Sequence, residues 1–204
     1  YAALFIDALN KVKLSIESME DGASRYTESW YEIDSLYRRF TFHYRKATHV
    51  TLLKDLADEI NLLYSNRFLL ALGDLWQAAV DQSESWNLQK RQAHFFRNMV
   101  QTKFLDKSNK VFVVISDGMR YEVGHELAAR IRSEDRFSAK LDYMVTGLPS
   151  YTQLGMASLL PNSELQITLN KSATVKVDGT SSAGTDKRAE ILSKISGSKG
   201  TAVR

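Results

Sequence analysis

At 204 residues, with 44% hydrophobic and 25% charged side chains, the sequence is long enough for one large domain or two small ones and can bury a core. It contains no cysteine, which excludes disulfides, thiolate metal sites and cysteine nucleophiles. It also has no signal-peptide pattern and no apolar run near the roughly 18 residues a membrane span requires, so no membrane partner is expected. The net charge of +3 is uneven: residues 1–106 carry 13 Lys/Arg and 14 Asp/Glu (net −1), and residues 107–204 carry 14 and 10 (net +4). A mildly basic second half suits a phosphate-bearing ligand, but it lacks the concentrated basic stripe of a dedicated nucleic-acid binder, and a solvated mixed surface is the plainer account. The chain starts at Tyr1 inside a helical pattern and stops at Thr201-Ala202-Val203-Arg204 without a stop signal, as a piece excised from a longer protein would.

The first half reads as helical. Leu4, Phe5, Ala8, Leu9, Val12, Ile16 and Met19 follow helix spacing, with Asp21-Gly22 as the stop. Ser29 and Glu32 have the spacing of a capping box, and the helix they would open places Ile33, Leu36, Tyr37, Phe40 and Tyr44 on one face. Asp34, Arg38, Arg39 and Arg45 are assigned to its polar side. A third pattern runs from Leu52 through Ile60 and Tyr64 to Leu75 and Trp76, with an interruption expected near Ser65-Asn66. A last helix-compatible segment covers Leu88 to Phe104. No proline occurs before Pro149, so an antiparallel helical bundle is the natural packing. The aromatics from Trp30 to Tyr44 read as core or interface residues rather than a base-stacking surface, and His43, His49 and His94 form no i, i+4 ligand pair.

The chemistry lies between Lys110 and Pro161. Val111-Phe112-Val113-Val114-Ile115 reads as a strand buried on both faces, the tyrosine-led segment 121–132 as a helix, and residues 140–145 as a second strand. Together they form a crossover unit with parallel strands. Asp117 and Gly118 then sit at the carboxyl end of the first strand, where open α/β sheets place their ligands. Asp117 has two readings, a cap on the following turn or helix and a hard oxygen ligand for a divalent metal. Arg120 either contacts a substrate phosphate or sits in a salt bridge, and His125 reads as a packed or surface residue. Pro149 sets up an extended entry to a helix that reaches about Leu160 and closes at Pro161, with Ser150 or Thr152 at its N-terminus. Each hydroxyl is read either as an N-cap or as a nucleophile needing a base or metal to activate it. Gly155 and Ala157 allow close helix packing.

The run Val-Phe-Val-Val-Ile-Ser-Asp-Gly-Met-Arg-Tyr-Glu over 111–122 and the run Leu-Pro-Ser-Tyr-Thr-Gln-Leu-Gly-Met-Ala-Ser-Leu-Leu-Pro over 148–161 resemble the PglZ-domain family. That family belongs to the alkaline phosphatase superfamily and occurs in the BREX phage-defence systems of bacteria. Val175 to Thr180 and Lys187 to Leu192 are similar to the family's next segment, and Tyr26, Trp30, Asp34 and Tyr37 to Phe40 to the region preceding the domain. The resemblance implies a helical region over 1–106, followed over 107–204 by the first part of an α/β domain with a largely parallel sheet. It implies a metal-dependent phosphoester hydrolase in the bacterial cytoplasm, acting on phosphomonoesters, phosphodiesters or nucleic acid alongside other defence-system proteins. Carried over by position, Asp117 is a ligand for a divalent metal (zinc, with magnesium or manganese as alternatives), and Thr152 is the nucleophile ahead of Ser150.

The sequence departs from that family in one respect. No histidine follows His125, and Asp178 and Asp186 are the only aspartates after Thr152, so the piece is not expected to complete a metal site or work alone. The remaining stretch offers short strands at 165–169 and 175–177 and a helix over 186–195 capped by Thr185 or Asp186. Ser196 to Gly200 reads as mobile. Two other functions compete with the hydrolase: a non-catalytic component of a defence complex with a vestigial site, and a nucleotide-binding doubly wound domain.

Overall fold

The structure, a computed structural model, describes residues 1–85, 88–102, 110–169, 171–195 and 200–203. The end expected for a helix at Phe104, the boundary expected between 106 and 107, and most of the mobile stretch (196–199) lie outside these residues. The chain divides into two compact units, Tyr1–Asn87 with Met119–Asp142, and Leu88–Gly118 with Tyr143–Arg204.

The first unit is helical. Helix α1 (Ala2–Lys11) buries Phe5 and Leu9, but the expected helix does not continue to Met19. From Val12 to Glu17 half-buried and exposed residues alternate, with Val12, Leu14 and Ile16 packed on the core. That period of two suits extended chain, and it overrides the weaker i, i+4 match of Val12 and Ile16. Helix α2 (Met19–Arg25) then starts at Ser18, whose hydroxyl accepts from the Asp21 amide at 3.1 Å. Asp21-Gly22 is therefore the first turn of a helix and not a stop. Gly22 lies close to Ile16: a Cβ there would be 3.1 Å from Ile16 Cδ1, so that side chain would have to shift.

The chain continues without a break through a π-helical turn (Tyr26–Trp30) into α3 (Tyr31–Lys46), so Ser29 opens no new helix. Similarly, α4 (Lys54–Leu62), a π-helical stretch (Leu63–Leu70) and α5 (Ala71–Asp81) are continuous, and the expected interruption at Ser65-Asn66 is a widening of the helix. Phe5, Leu9, Trp30, Ile33, Phe40, Ala57, Ile60, Tyr64 and Phe68 form one core. Helix α6 (Tyr121–Arg132) forms where expected and packs on α3. Arg38 and Arg130 bond Glu126 and hold its carboxyl down at about 2, and Tyr31 meets the His125 ring nitrogen at 3.2 Å.

The second unit is mixed. Helix α7 (Thr152–Ser158) buries Leu154 and Ala157 against a small antiparallel sheet of order β1-β2-β3, formed by β1 (Leu165–Ile167), β2 (Val175–Val177) and β3 (Thr180–Ser181). In β2, Val175 and Val177 point into the core and Lys176 points out, the alternation of a half-buried strand. Helix α8 (Thr185–Ser193) contributes Ile191 to the same core. Its N-cap is Gly184 without a side-chain bond, so neither Thr185 nor Asp186 caps it. Of the two helix-packing residues expected on α7, Ala157 is fully buried, while a Cβ on Gly155 would meet only ordinary contacts with Gln92. The Leu88–Phe104 segment is a short 3-10 turn (Gln92–His94) and a π-helical turn (Phe96–Gln101) over its described part.

The fold is thus a large helical region with a small antiparallel sheet. The crossover strands are not paired among the described residues: Val111–Ile115 joins no ladder, and residue 145 makes only a single parallel bridge to Arg91. A parallel strand buried on both faces needs a neighbour along each edge. None of the described residues supplies one to 111–115, and Phe112 and Val114 are 90% and 93% exposed.

Candidate active site

Asp117 and Thr152 meet within the second unit. The Thr152 hydroxyl donates to the Asp117 carboxylate at 3.2 Å, with the other oxygen at 3.5 Å, and both side chains face solvent. Gly118, with φ of +65°, takes the left-handed turn immediately after the aspartate, a conformation that favours glycine. Thr152 is the first residue of α7, entered through Leu148–Pro149, which is cis, and through extended Tyr151 at the N-cap. The N-caps of α7 and α6 are Tyr151 and Arg120, and neither helix has a side-chain cap bond. The plainer alternatives for Asp117, Ser150 and Thr152, helix caps, are therefore not formed; the threonine hydroxyl points at the aspartate instead. Ser150 precedes the N-cap, and it is Thr152 that makes the pair with Asp117.

Arg120 belongs to the helical unit, where its guanidinium lies 2.6 Å from Asp34 and 3.3 Å from Glu122. Nη2 faces Asp34 and Nε faces Glu122, so the salt-bridge reading of Arg120 is formed. The aspartate is 3% exposed and also accepts hydrogen bonds from the Tyr26 and Tyr64 hydroxyls. Burial, reinforced by the charge of Asp34, raises both phenols well above their ordinary range. This centre is missing from the sequence reading, which placed Asp34 on the polar side of its helix. The signal was available: Asp34 is four residues after Trp30 and three before Tyr37, on the buried stripe itself.

The same centre predicts a pH effect. Burial raises the Glu122 carboxyl above its ordinary 4.5, against the lowering influence of Arg120, and one of its oxygens is buried without a partner among the described residues. The folded state then holds this proton more tightly than the unfolded chain does. Stability from this group is full below the unfolded value and is lost as pH rises through the folded one. Urea titrations across that window should show the decline, and Glu122→Gln should flatten it; an identical slope in the variant would remove Glu122 as its source.

The fit to a metal can be judged from the donors present. Asp117 and Thr152 supply two groups, short of the four a closed zinc site takes, and no group of three His, Cys, Asp or Glu among the described residues is arranged to hold an ion. Asp178 is occupied elsewhere, accepting from the Ser163 and Glu164 amides at 3.0 and 2.7 Å. The described residues do not by themselves constitute a metal centre.

A family profile described as the BREX system PglZ alkaline phosphatase-like domain matches residues 95–204, more than half of the chain and inclusive of Asp117 and Thr152. The chain belongs to the PglZ family. Among PglZ relatives, it is 38% identical over 181 residues to the alkaline phosphatase-like protein BrxZ of Escherichia coli O9:H4 (strain HS), covering 84% of this chain and 21% of that protein. It is 36% identical over 173 residues to the alkaline phosphatase-like protein PglZ of Bacillus cereus (strain H3081.97), covering 83% of this chain and 20% of that protein. The chain thus spans about a fifth of the length of these curated PglZ relatives. No solved structure matches it. Among the described residues of this PglZ chain, no helix is long and apolar enough to cross a membrane.

Proposed function

We propose that this chain carries the first part of the active site of a phosphoester hydrolase acting in bacterial phage defence, with Thr152 as nucleophile and Asp117 as one ligand to a divalent ion. The observation that carries this reading is the Thr152–Asp117 contact at 3.2 Å, made by two side chains that cap no helix. Membership of an alkaline phosphatase-like family supports the reaction class. Zinc is the favoured ion, with magnesium and manganese as alternatives, and the remaining ligands would come from parts of the longer protein this chain does not span. When bound, such an ion would supply electrostatic stabilisation of a nucleophilic oxygen and of the phosphoryl group.

In the proposed reaction Thr152 Oγ1 attacks phosphorus, the ester oxygen leaves as an alcohol, and water cleaves the resulting phosphothreonine. The largely parallel sheet of the superfamily, with 111–115 as its first core strand, belongs to this proposal. So do a phosphomonoester or phosphodiester substrate, nucleic acid included, the cytoplasmic setting and the defence-system partners. The alternative is a non-catalytic interaction component of a defence complex whose site is vestigial.

Cleavage of bis(p-nitrophenyl) phosphate by the full-length protein separates the two. Metal-dependent turnover is expected, and Asp117→Asn should lower both bound metal and rate, the rate by about a hundredfold or more. Unchanged metal content and rate in that variant would remove Asp117 from the site, and no turnover with any of the three ions would favour the vestigial reading.

A further inference from the structure

The second unit contains a half-open cavity of about 760 Å³ that includes neither Asp117 nor Thr152. Its volume lies within the roughly 300–1,000 Å³ typical of small-molecule sites. Three cations line it, Arg91, Arg97 and Lys194, together with His94. The lining carboxylate, Asp178, has its charge directed at the Ser163 and Glu164 amides. Three cationic side chains therefore line the space against one carboxylate.

The donors are also under-used. Arg91 Nε is buried without a hydrogen-bond partner among the described residues. Arg91 Nη2 lies 3.0 Å from His94 Nε2, and since a guanidinium only donates, the ring nitrogen accepts. This contact orients Arg91 without neutralising it. Arg97 is exposed at the cavity rim, and no carboxylate among the described residues pairs with it. Lys194 bonds the Thr180 hydroxyl at 2.9 Å and sees Glu190 only at 3.8 Å. The lining also carries apolar side chains, Phe96, Leu165 and Ile191. The lining is braced by Asn162, whose side-chain amide donates to the carbonyls of Ala93, Ser158 and Leu160.

We propose that this cavity binds a small organic diphosphate of nucleoside-diphosphate size, with its phosphates on Arg91, Arg97 and Lys194 and its ring against Phe96 and Leu165. Arginine forks match phosphate oxygens two at a time, and apolar side chains in the same lining take a planar ring. The site goes beyond the proposed hydrolase and does not depend on it, because no residue is shared between the two.

Isothermal titration of the 204-residue chain with ADP, pyrophosphate and adenosine tests the assignment. Saturable one-to-one binding of ADP is expected, with adenosine at least about tenfold weaker, and Arg97→Ala weakening ADP by about tenfold. Arg97 is exposed, so the variant should fold, and far-UV circular dichroism checks this. Lys194→Ala, also exposed, should weaken ADP in the same direction and serves as the second variant. Pyrophosphate binding as tightly as ADP would confine the site to its phosphate half and overturn the ring contact. No heat from ADP at millimolar concentration, equal affinity for adenosine, or ADP affinity unchanged in both folded variants would overturn the proposal.

Discussion

Thr152→Ala in the full-length protein is expected to lower aryl phosphodiester turnover by about a thousandfold or more, while Thr152→Ser keeps most of it. Alanine removes the attacking oxygen itself, and serine retains it one methyl group lighter at the same position on α7. The effect should fall on kcat with little change in KM, because a hydroxyl that reacts contributes more to the transition state than to ground-state binding. Both side chains of the pair are solvent-exposed, so neither substitution should unfold the chain. Ser150 provides the control: Ser150→Ala should retain turnover. The opposite pattern, with Ser150 essential and Thr152 dispensable, would transfer the nucleophile to Ser150 and leave the hydrolase reading intact.

The largest stability effect is expected at Asp34. Replacing it with alanine strands the Tyr26 and Tyr64 hydroxyls and leaves the half-exposed Arg120 without its 2.6 Å partner. Removing one member of a buried ion pair costs about 3–5 kcal/mol. Arg120 is 52% exposed and can turn to water, which places Asp34→Ala near the lower figure, about 3 kcal/mol. Against a total of roughly 5–15 kcal/mol for a domain this is a large fraction. Urea denaturation at pH 7 measures it. Asp34→Asn keeps the acceptor oxygen and should cost less. A midpoint unmoved in Asp34→Ala would show that the three donors find water or other partners at no net cost.

How far the sequence could be read depended on whether the deciding interaction was local. The helices at 31–46 and 121–132 were legible because their apolar spacing is unambiguous and nothing breaks it. Helix ends were less so: Val12 and Ile16 satisfy both a helical and an extended period, and only packing against the core of the helical unit selects the second. The Ser29 capping-box spacing was present but unused, because the preceding turn stayed helical.

At the site, Asp117 and Thr152 could be singled out from their positions at a strand end and a helix start. That they meet is a non-local fact, and residue spacing alone left caps as open alternatives. Asp34 was misread for the opposite reason. Its charge suggested a solvated face, although its phase on the helix placed it in the aromatic stripe. The strand over 111–115 was read from composition, but a ladder also requires a neighbour, which composition does not supply.

The way the backbone is shared between the two units bears on how the protein can be dissected. The chain passes from one unit to the other three times, after Asn87, Gly118 and Asp142. A truncation at residue 106 would look like the excision of a helical region, yet it would discard Arg120, Glu122 and all of α6. The remaining helices would retain Asp34 with its two phenols and no guanidinium to balance its charge. Each unit also closes on a long detour through the other, so formation of either depends on chain segments far apart in order. Proteolytic nicking near Gly118 would therefore be felt by both units together, and a clean single-cut separation of this protein into independently folding halves is not available.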